Sequence, residues 1–176
     1  MRIFKNLCLS VSFFMVVGHA EAEVKALNTF YLGGGSAITD DPYKNDAMPI
    51  SLGYYFQKPS NKLILGFDIA GEGTSLDSTW GQNAELSQAM SVNLLVGANV
   101  IDNGRFKADA AFLVGFRDSS LDCPDSYLGY QCYADEAPTP TYKENLGAVI
   151  TISFDRFTLG VRATGESTQV IAGLRF

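Results

Sequence analysis

Residues Arg105 to Arg117 alternate without a break. Phe106, Ala108, Ala110, Phe112, Val114 and Phe116 share one parity, and Arg105, Lys107, Asp109, Ala111, Leu113, Gly115 and Arg117 share the other. A period of two is that of a β-strand with two unlike faces. One face is apolar throughout, while the other carries charge in its middle. That second face is the stronger constraint, because a sandwich core would not accept it.

The same pattern recurs along the chain. Met90, Val92, Leu94, Val96, Ala98 and Val100 oppose Ser91, Asn93, Leu95, Gly97 and Asn99. Leu146, Ala148, Ile150, Ile152 and Phe154 oppose Asn145, Gly147, Val149, Thr151 and Ser153, and Phe157, Leu159, Val161 and Ala163 oppose Thr158, Gly160, Arg162 and Thr164. Segments 62–72 and 50–57 follow suit, segment 28–38 does so more weakly across Gly33-Gly34-Gly35, and Val170 to Phe176 is the eighth. Asp68, Lys107, Asp109, Arg162 and Arg175 all fall on the non-apolar face. The apolar faces run for about ten residues, the length of a tilted strand crossing a bilayer. These segments predict an all-β fold, an eight-stranded antiparallel up-and-down transmembrane β-barrel over residues 23–176. A water-soluble barrel with its apolar face inside is the alternative.

The connectors agree with the membrane reading. Residues 58–61, 102–104 and 155–156 are short, and Asp102-Asn103-Gly104 suits a three-residue hairpin with Gly in the left-handed position. Links 39–48, 73–88 and 118–142 are long, and 165–168 is intermediate. Short turns at one end and long loops at the other are the outer-membrane barrel pattern, and an even strand count puts both termini on the periplasmic side. Every segment has a glycine of inward parity, which relieves crowding in a narrow lumen. Phe56, Phe106, Phe154, Phe157 and Phe176 have outward parity near the short-turn end and are expected to form an aromatic girdle. Glu144 also has outward parity and is expected above the hydrocarbon.

The N-terminus reads as a secretory signal peptide, residues 1–22. Arg2 and Lys5 precede an apolar core from Leu7 to Val17, and Ala20-Glu21-Ala22 is a small-x-small cleavage site. That core is too short to span a bilayer as a helix, and no later segment approaches about 20 apolar residues. Cleavage after about Ala22 removes His19, the sole histidine, and Cys8. The remainder stays acidic, which argues against a nucleic-acid partner. Its two cysteines, Cys123 and Cys132, are expected to form one disulfide in an oxidising compartment.

With the signal peptide, the strand pattern and a C-terminal strand ending in Phe176, the chain resembles small eight-stranded outer-membrane proteins of the OmpA/OmpX type, a porin-like class. The resemblance is architectural and covers nearly all of residues 26–176. It implies contact with outer-membrane lipid and lipopolysaccharide. It also implies that Val170, Ala172, Leu174 and Phe176 act as a C-terminal assembly signal for the barrel-assembly machinery.

Chemistry is harder to place. Barrels of this size include lipid A deacylases and palmitoyltransferases, but without histidine beyond residue 22 a Ser-His or Asp-His mechanism is unavailable. The two cysteines make no zinc-type set, and Gly33-Gly34-Gly35 lacks the Lys and helix of a phosphate-binding loop. No cofactor and no catalytic residue is expected. Asp68 with Asp109 would be the acid–base alternative. The preferred reading is a lumen charge network of Asp68, Glu72, Lys107, Asp109, Arg162 and Arg175, making a polar plug with little or no conductance. In the 118–142 loop a Cys123–Cys132 bridge would close a ring holding Tyr127 and Tyr130 beside Tyr133. That ring either stabilises the loop or recognises a surface protein partner. The expected role is non-enzymatic and structural or surface-presenting, with an adhesin using this loop and a narrow small-solute channel as alternatives. The long connectors are acidic (Asp40, Asp41, Asp46, Asp77, Glu85, Asp122, Asp125, Asp135 and Glu136 against Lys44) and offer at most weak divalent-cation bridging.

Overall fold

The computed structural model describes residues 28–38, 47–58, 60–76, 86–120 and 139–176. Residues 1–22, both loop cysteines, and Tyr127, Tyr130 and Tyr133 lie outside the described residues.

Eight strands follow in order: β1 (Asn28–Ala37), β2 (Ile50–Gln57), β3 (Leu63–Leu76), β4 (Leu86–Asn103), β5 (Phe106–Asp118), β6 (Tyr142–Phe154), β7 (Phe157–Thr164) and β8 (Ser167–Arg175). Each pairs antiparallel with the next, and β8 returns to β1, so the sheet closes into a barrel. The closing ladder runs from Thr29 opposite Arg175 to Ala37 opposite Ser167. Phe176 extends it, its amide donating to Asn28 O and its carbonyl accepting from Asn28 N, both at 2.9 Å. Closure leaves no sheet edge along these residues, which a bilayer interior demands.

The two faces are distributed as in a membrane barrel and opposite to a soluble one. Phe112 is 71 % exposed and Leu94 64 %, whereas Arg162, Arg175, Asp68 and Glu72 are 0 % exposed. An exterior of Leu, Ile, Val and Phe on all eight strands far exceeds the apolar patch a soluble monomer tolerates. The girdle residues Phe56, Phe154, Phe157 and Phe176 are exposed at the short-turn end, and Phe106 is half-buried there. Glu144 is outward and exposed near the loop end, opposite Phe116.

Several boundaries differ from expectation, each for a local reason. The β4–β5 turn is two residues, Gly104-Arg105, not the three at 102–104, because Asn103 pairs with Phe106. Gly104 does take the left-handed conformation, with φ at 72°. A bulge at Val100 absorbs the extra residue, so Val100 and Ile101 both face out and Asp102 turns inward opposite Lys107. A second bulge sets Glu72 and Gly73 against Ala89, after which β3 and β4 stay paired to Leu76 and Leu86. The 73–88 link is therefore shorter than predicted, 118–142 loses its end residues to β5 and β6, and 165–168 shrinks to Gly165-Glu166. Strands β3–β6 form a taller wall than the other four.

The lumen is also less polar than the expected plug. Ile64, Leu95, Leu113, Val149 and Ile171 are buried in it beside Tyr31 and Tyr55. These bulky side chains meet glycine across the ladder: Tyr31 lies opposite both Gly53 and Gly173, Leu95 opposite Gly66, and Leu113 opposite Gly147. The Tyr31 ring crosses Gly53 so closely that a Cβ there would stand 2.1 Å from its Cζ.

Gly53→Ala is therefore expected to destabilise the barrel by about 1–3 kcal/mol through overpacking. Gly165→Ala, which meets nothing within 4 Å, should change stability by less than about 0.5 kcal/mol. Equilibrium urea unfolding in phosphocholine bilayers checks both, and equal effects would contradict the packing described.

Candidate functional site

The buried charges gather into two clusters, each bridging distant strands. In the first, Arg162 on β7 reaches across the lumen to β3. Its Nε donates to both oxygens of Asp68 at 3.1 Å, and its Nη2 donates to Asp68 Oδ1 at 2.8 Å. Nη1 and Nη2 donate to the two oxygens of Glu72, each at 2.8 Å. The planar fork of arginine suits this double engagement, which an ammonium would not reproduce.

One guanidinium does not neutralise two carboxylates, and neutral donors solvate the remainder. Glu72 accepts from Ser91 Oγ at 2.8 Å, Asn145 Nδ2 at 2.9 Å, Thr164 Oγ1 at 2.7 Å and Ser167 Oγ at 2.6 Å. Asp68 accepts from Tyr31 OH at 2.7 Å and Asn93 Nδ2 at 3.0 Å. The donors come from β1, β4, β6, β7 and β8. Glu72 continues the inward parity of Asp68 and Ala70 at the top of the β2–β3 ladder, where Gly71 is the last residue paired with β2 and the Glu72–Gly73 bulge begins.

In the second cluster Arg175 on β8 donates from Nη1 to Asp109 Oδ2 on β5 at 2.5 Å and from Nη2 to Gln57 Oε1 on β2. Asp109 also accepts from Tyr55 OH at 2.9 Å and Asn99 Nδ2 at 2.7 Å. Tyr55 OH lies 2.8 Å from Thr151 Oγ1 on β6. Together the two clusters draw on every strand.

Lys107 belongs to neither cluster. Its Nζ is 2.8 Å from Asp102 Oδ2 near the short-turn end, because the Val100 bulge rotates Asp102 inward. The structure also keeps Asp68 and Asp109 in different clusters, each bound to its own arginine, so they do not form an acid–base pair. Parity did not single out Arg117 or Glu166 as partners. They pair at 2.5 Å where the β7–β8 turn meets β5 at the loop end. Among the described residues no group of histidine, cysteine and carboxylate side chains could hold a metal ion.

Outside the bilayer span, Arg105 and Asp155 pair across neighbouring turns, Nε to Oδ1 at 2.8 Å and Nη2 to Oδ2 at 2.7 Å. These hydrogen bonds hold the Asp155 carboxyl below the usual carboxylate range and raise Arg105. The pair's contribution is present above the ordinary carboxylate value and lost as pH falls through the lowered one; solvent keeps it small.

Lumen and exterior together define a small transmembrane β-barrel whose interior is filled by ion pairs, tyrosines and aliphatic side chains. The fold is that of small eight-stranded outer-membrane barrels. Two solved structures of the Yersinia pestis outer-membrane protein Ail are similar to it. One, in complex with the heparin analogue sucrose octasulfate, has a TM-score of 0.52 at 14 % identity, covering 86 % of this chain and 99 % of that one. The other, in a phospholipid bilayer nanodisc, has a TM-score of 0.46 at 13 % identity, covering 86 % and 100 %. No protein-family model matches the sequence, and no curated protein matches it.

Arg162→Ala leaves two carboxylates buried without their cation and is expected to cost about 3–5 kcal/mol. Arg105→Ala removes an exposed pair and should leave the urea midpoint unchanged. Similar midpoints for the two variants would contradict the assignment.

Proposed function

We propose that this chain is a non-enzymatic protein of the bacterial outer membrane whose barrel is a closed structural element rather than a pore. Its periplasmic end carries the termini and short turns, and its other end presents acidic loops at the cell surface. The observation that carries this reading is the Arg162 bridge: a guanidinium bound to Asp68 and Glu72 on the opposite wall blocks the lumen. Apolar side chains, among them Ile64, Leu95, Leu113 and Ile171, occupy the neighbouring space, as the narrow interior of an eight-stranded barrel favours.

The sequence supports the remainder. Residues 1–22 have the form of a cleaved export signal, and the chain beyond them has no histidine to serve as general base. Val170, Ala172, Leu174 and Phe176 lie on the lipid-facing side of the closing strand, where the barrel-assembly machinery would read them. Ail has been captured with a heparin analogue, a dense polyanion. The loop-end connectors here carry Asp40, Asp41, Asp46, Asp77, Glu85, Asp122, Asp125, Asp135 and Glu136 against Lys44 alone. Such a surface repels polyanions and favours lipopolysaccharide phosphates only with divalent cations between them.

Reconstituted into planar bilayers, the protein is expected to show no discrete conductance above the bare membrane. Regular, reproducible current steps would overturn the closed-lumen reading and favour a small-solute channel.

A further inference from the structure

The short-turn end carries a ring of cations that the lumen does not use. Lys58, Lys62, Arg105 and Arg156 are all exposed. Among the described residues Arg105 alone of the four pairs with a carboxylate, that of Asp155. Asp102 is already bound to Lys107 on the inward side. The connectors at the opposite end are acidic in sequence.

Two further observations give this ring an address. First, the backbone that carries it is fixed. The carbonyl of Lys62 accepts from Asn99 N at 2.9 Å, that of Arg105 from Asp155 N at 2.8 Å, and that of Arg156 from Arg175 N at 2.7 Å. Each bond ties a turn to the next strand or turn around the barrel, which holds the cations at one end of the wall. Second, the ring adjoins the outward phenylalanines. Phe154 and Phe157 flank the Asp155-Arg156 turn, and the Arg105 guanidinium stands 5.1 Å from the Phe154 ring centroid. Aromatic girdles mark the level where hydrocarbon meets headgroups. A cation resting on such a ring is therefore at headgroup depth.

We infer that the short-turn end is a binding surface for the phosphates of anionic phospholipids in the leaflet it faces, with Lys58, Lys62 and Arg156 as the ligating groups. This rests on the membrane-spanning reading above. Ring and girdle together anchor the barrel vertically at that level. Each basic residue near an anionic leaflet adds about 1 kcal/mol, but spacing around a rim prevents full additivity.

The test uses the whole mature protein in nanodiscs of equal phosphatidylglycerol and phosphatidylcholine, with the lipids retained on release read by native mass spectrometry. Retention should favour phosphatidylglycerol by about fivefold, as expected for one fully effective cation. The preference should fall to parity in 0.5 M (roughly a 4 Å screening length) salt and in the Lys58→Gln/Lys62→Gln/Arg156→Gln variant. The salt arm needs no variant, so it decides the matter if the variant folds poorly. No preference in a well-inserted barrel would overturn this inference alone, and failure to insert would overturn the membrane reading with it. Loss of the preference on adding millimolar inorganic phosphate at constant ionic strength would show that free phosphate, rather than a lipid headgroup, is the ligand, and would overturn it too.

Discussion

The guanidinium of Arg162, held between Asp68 and Glu72, is the interaction on which the rest of this barrel depends. All three side chains are fully buried and are screened from water by a wall whose outer surface is apolar. Unpaired, any of them would carry a desolvation penalty of several kcal/mol. Paired, they pull β7 against β3, and the hydroxyls and amides that complete the shell of Glu72 bring β4, β6 and β8 to the same point. The arrangement amounts to a polar core inside an apolar shell. Its value lies in specificity as much as in energy, since few registers of the ladder place so many donors around one carboxylate.

The other features follow from fitting that core into eight strands. In so narrow a barrel each buried tyrosine, leucine and isoleucine of the lumen has a glycine as a cross-strand neighbour. Tyr31 between Gly53 and Gly173 is the plainest case; its ring fills the space of two missing side chains and its hydroxyl donates to Asp68. Tyr55 does the same service for Asp109. The aliphatic residues between them fill volume that no donor could satisfy, and this explains why the interior alternates between ionic and apolar patches.

Much of this was legible from parity. The faces of Phe112 and Leu113, of Val161 and Arg162, and of Leu174 and Arg175 could be assigned from the alternation alone, because a slip of one residue would send every charge into lipid. Partner choice was not legible in the same way. Lys107 looked available to Asp109, yet the bulge at Val100 reverses parity before the turn and hands it Asp102. The Glu72–Gly73 bulge likewise hid the true height of β3 and β4, since alternation appears to stop where it merely shifts phase. The apolar part of the lumen was visible as Leu95, Leu113 and Val149 on the inward face, but charge on the same face drew the reading towards a polar plug. Cross-strand register, which sequence periodicity does not encode, is what separates the two descriptions.

The most direct test is a double-mutant cycle on the central bridge, Arg162→Met with Glu72→Gln, measured by equilibrium urea unfolding in bilayers. If the two groups stabilise the barrel through each other, the double variant will be more stable than the sum of the single losses predicts. The coupling should exceed about 1 kcal/mol, within the range for residues sharing one network. Additive losses would contradict the account, because they would mean that Arg162 and Glu72 act independently.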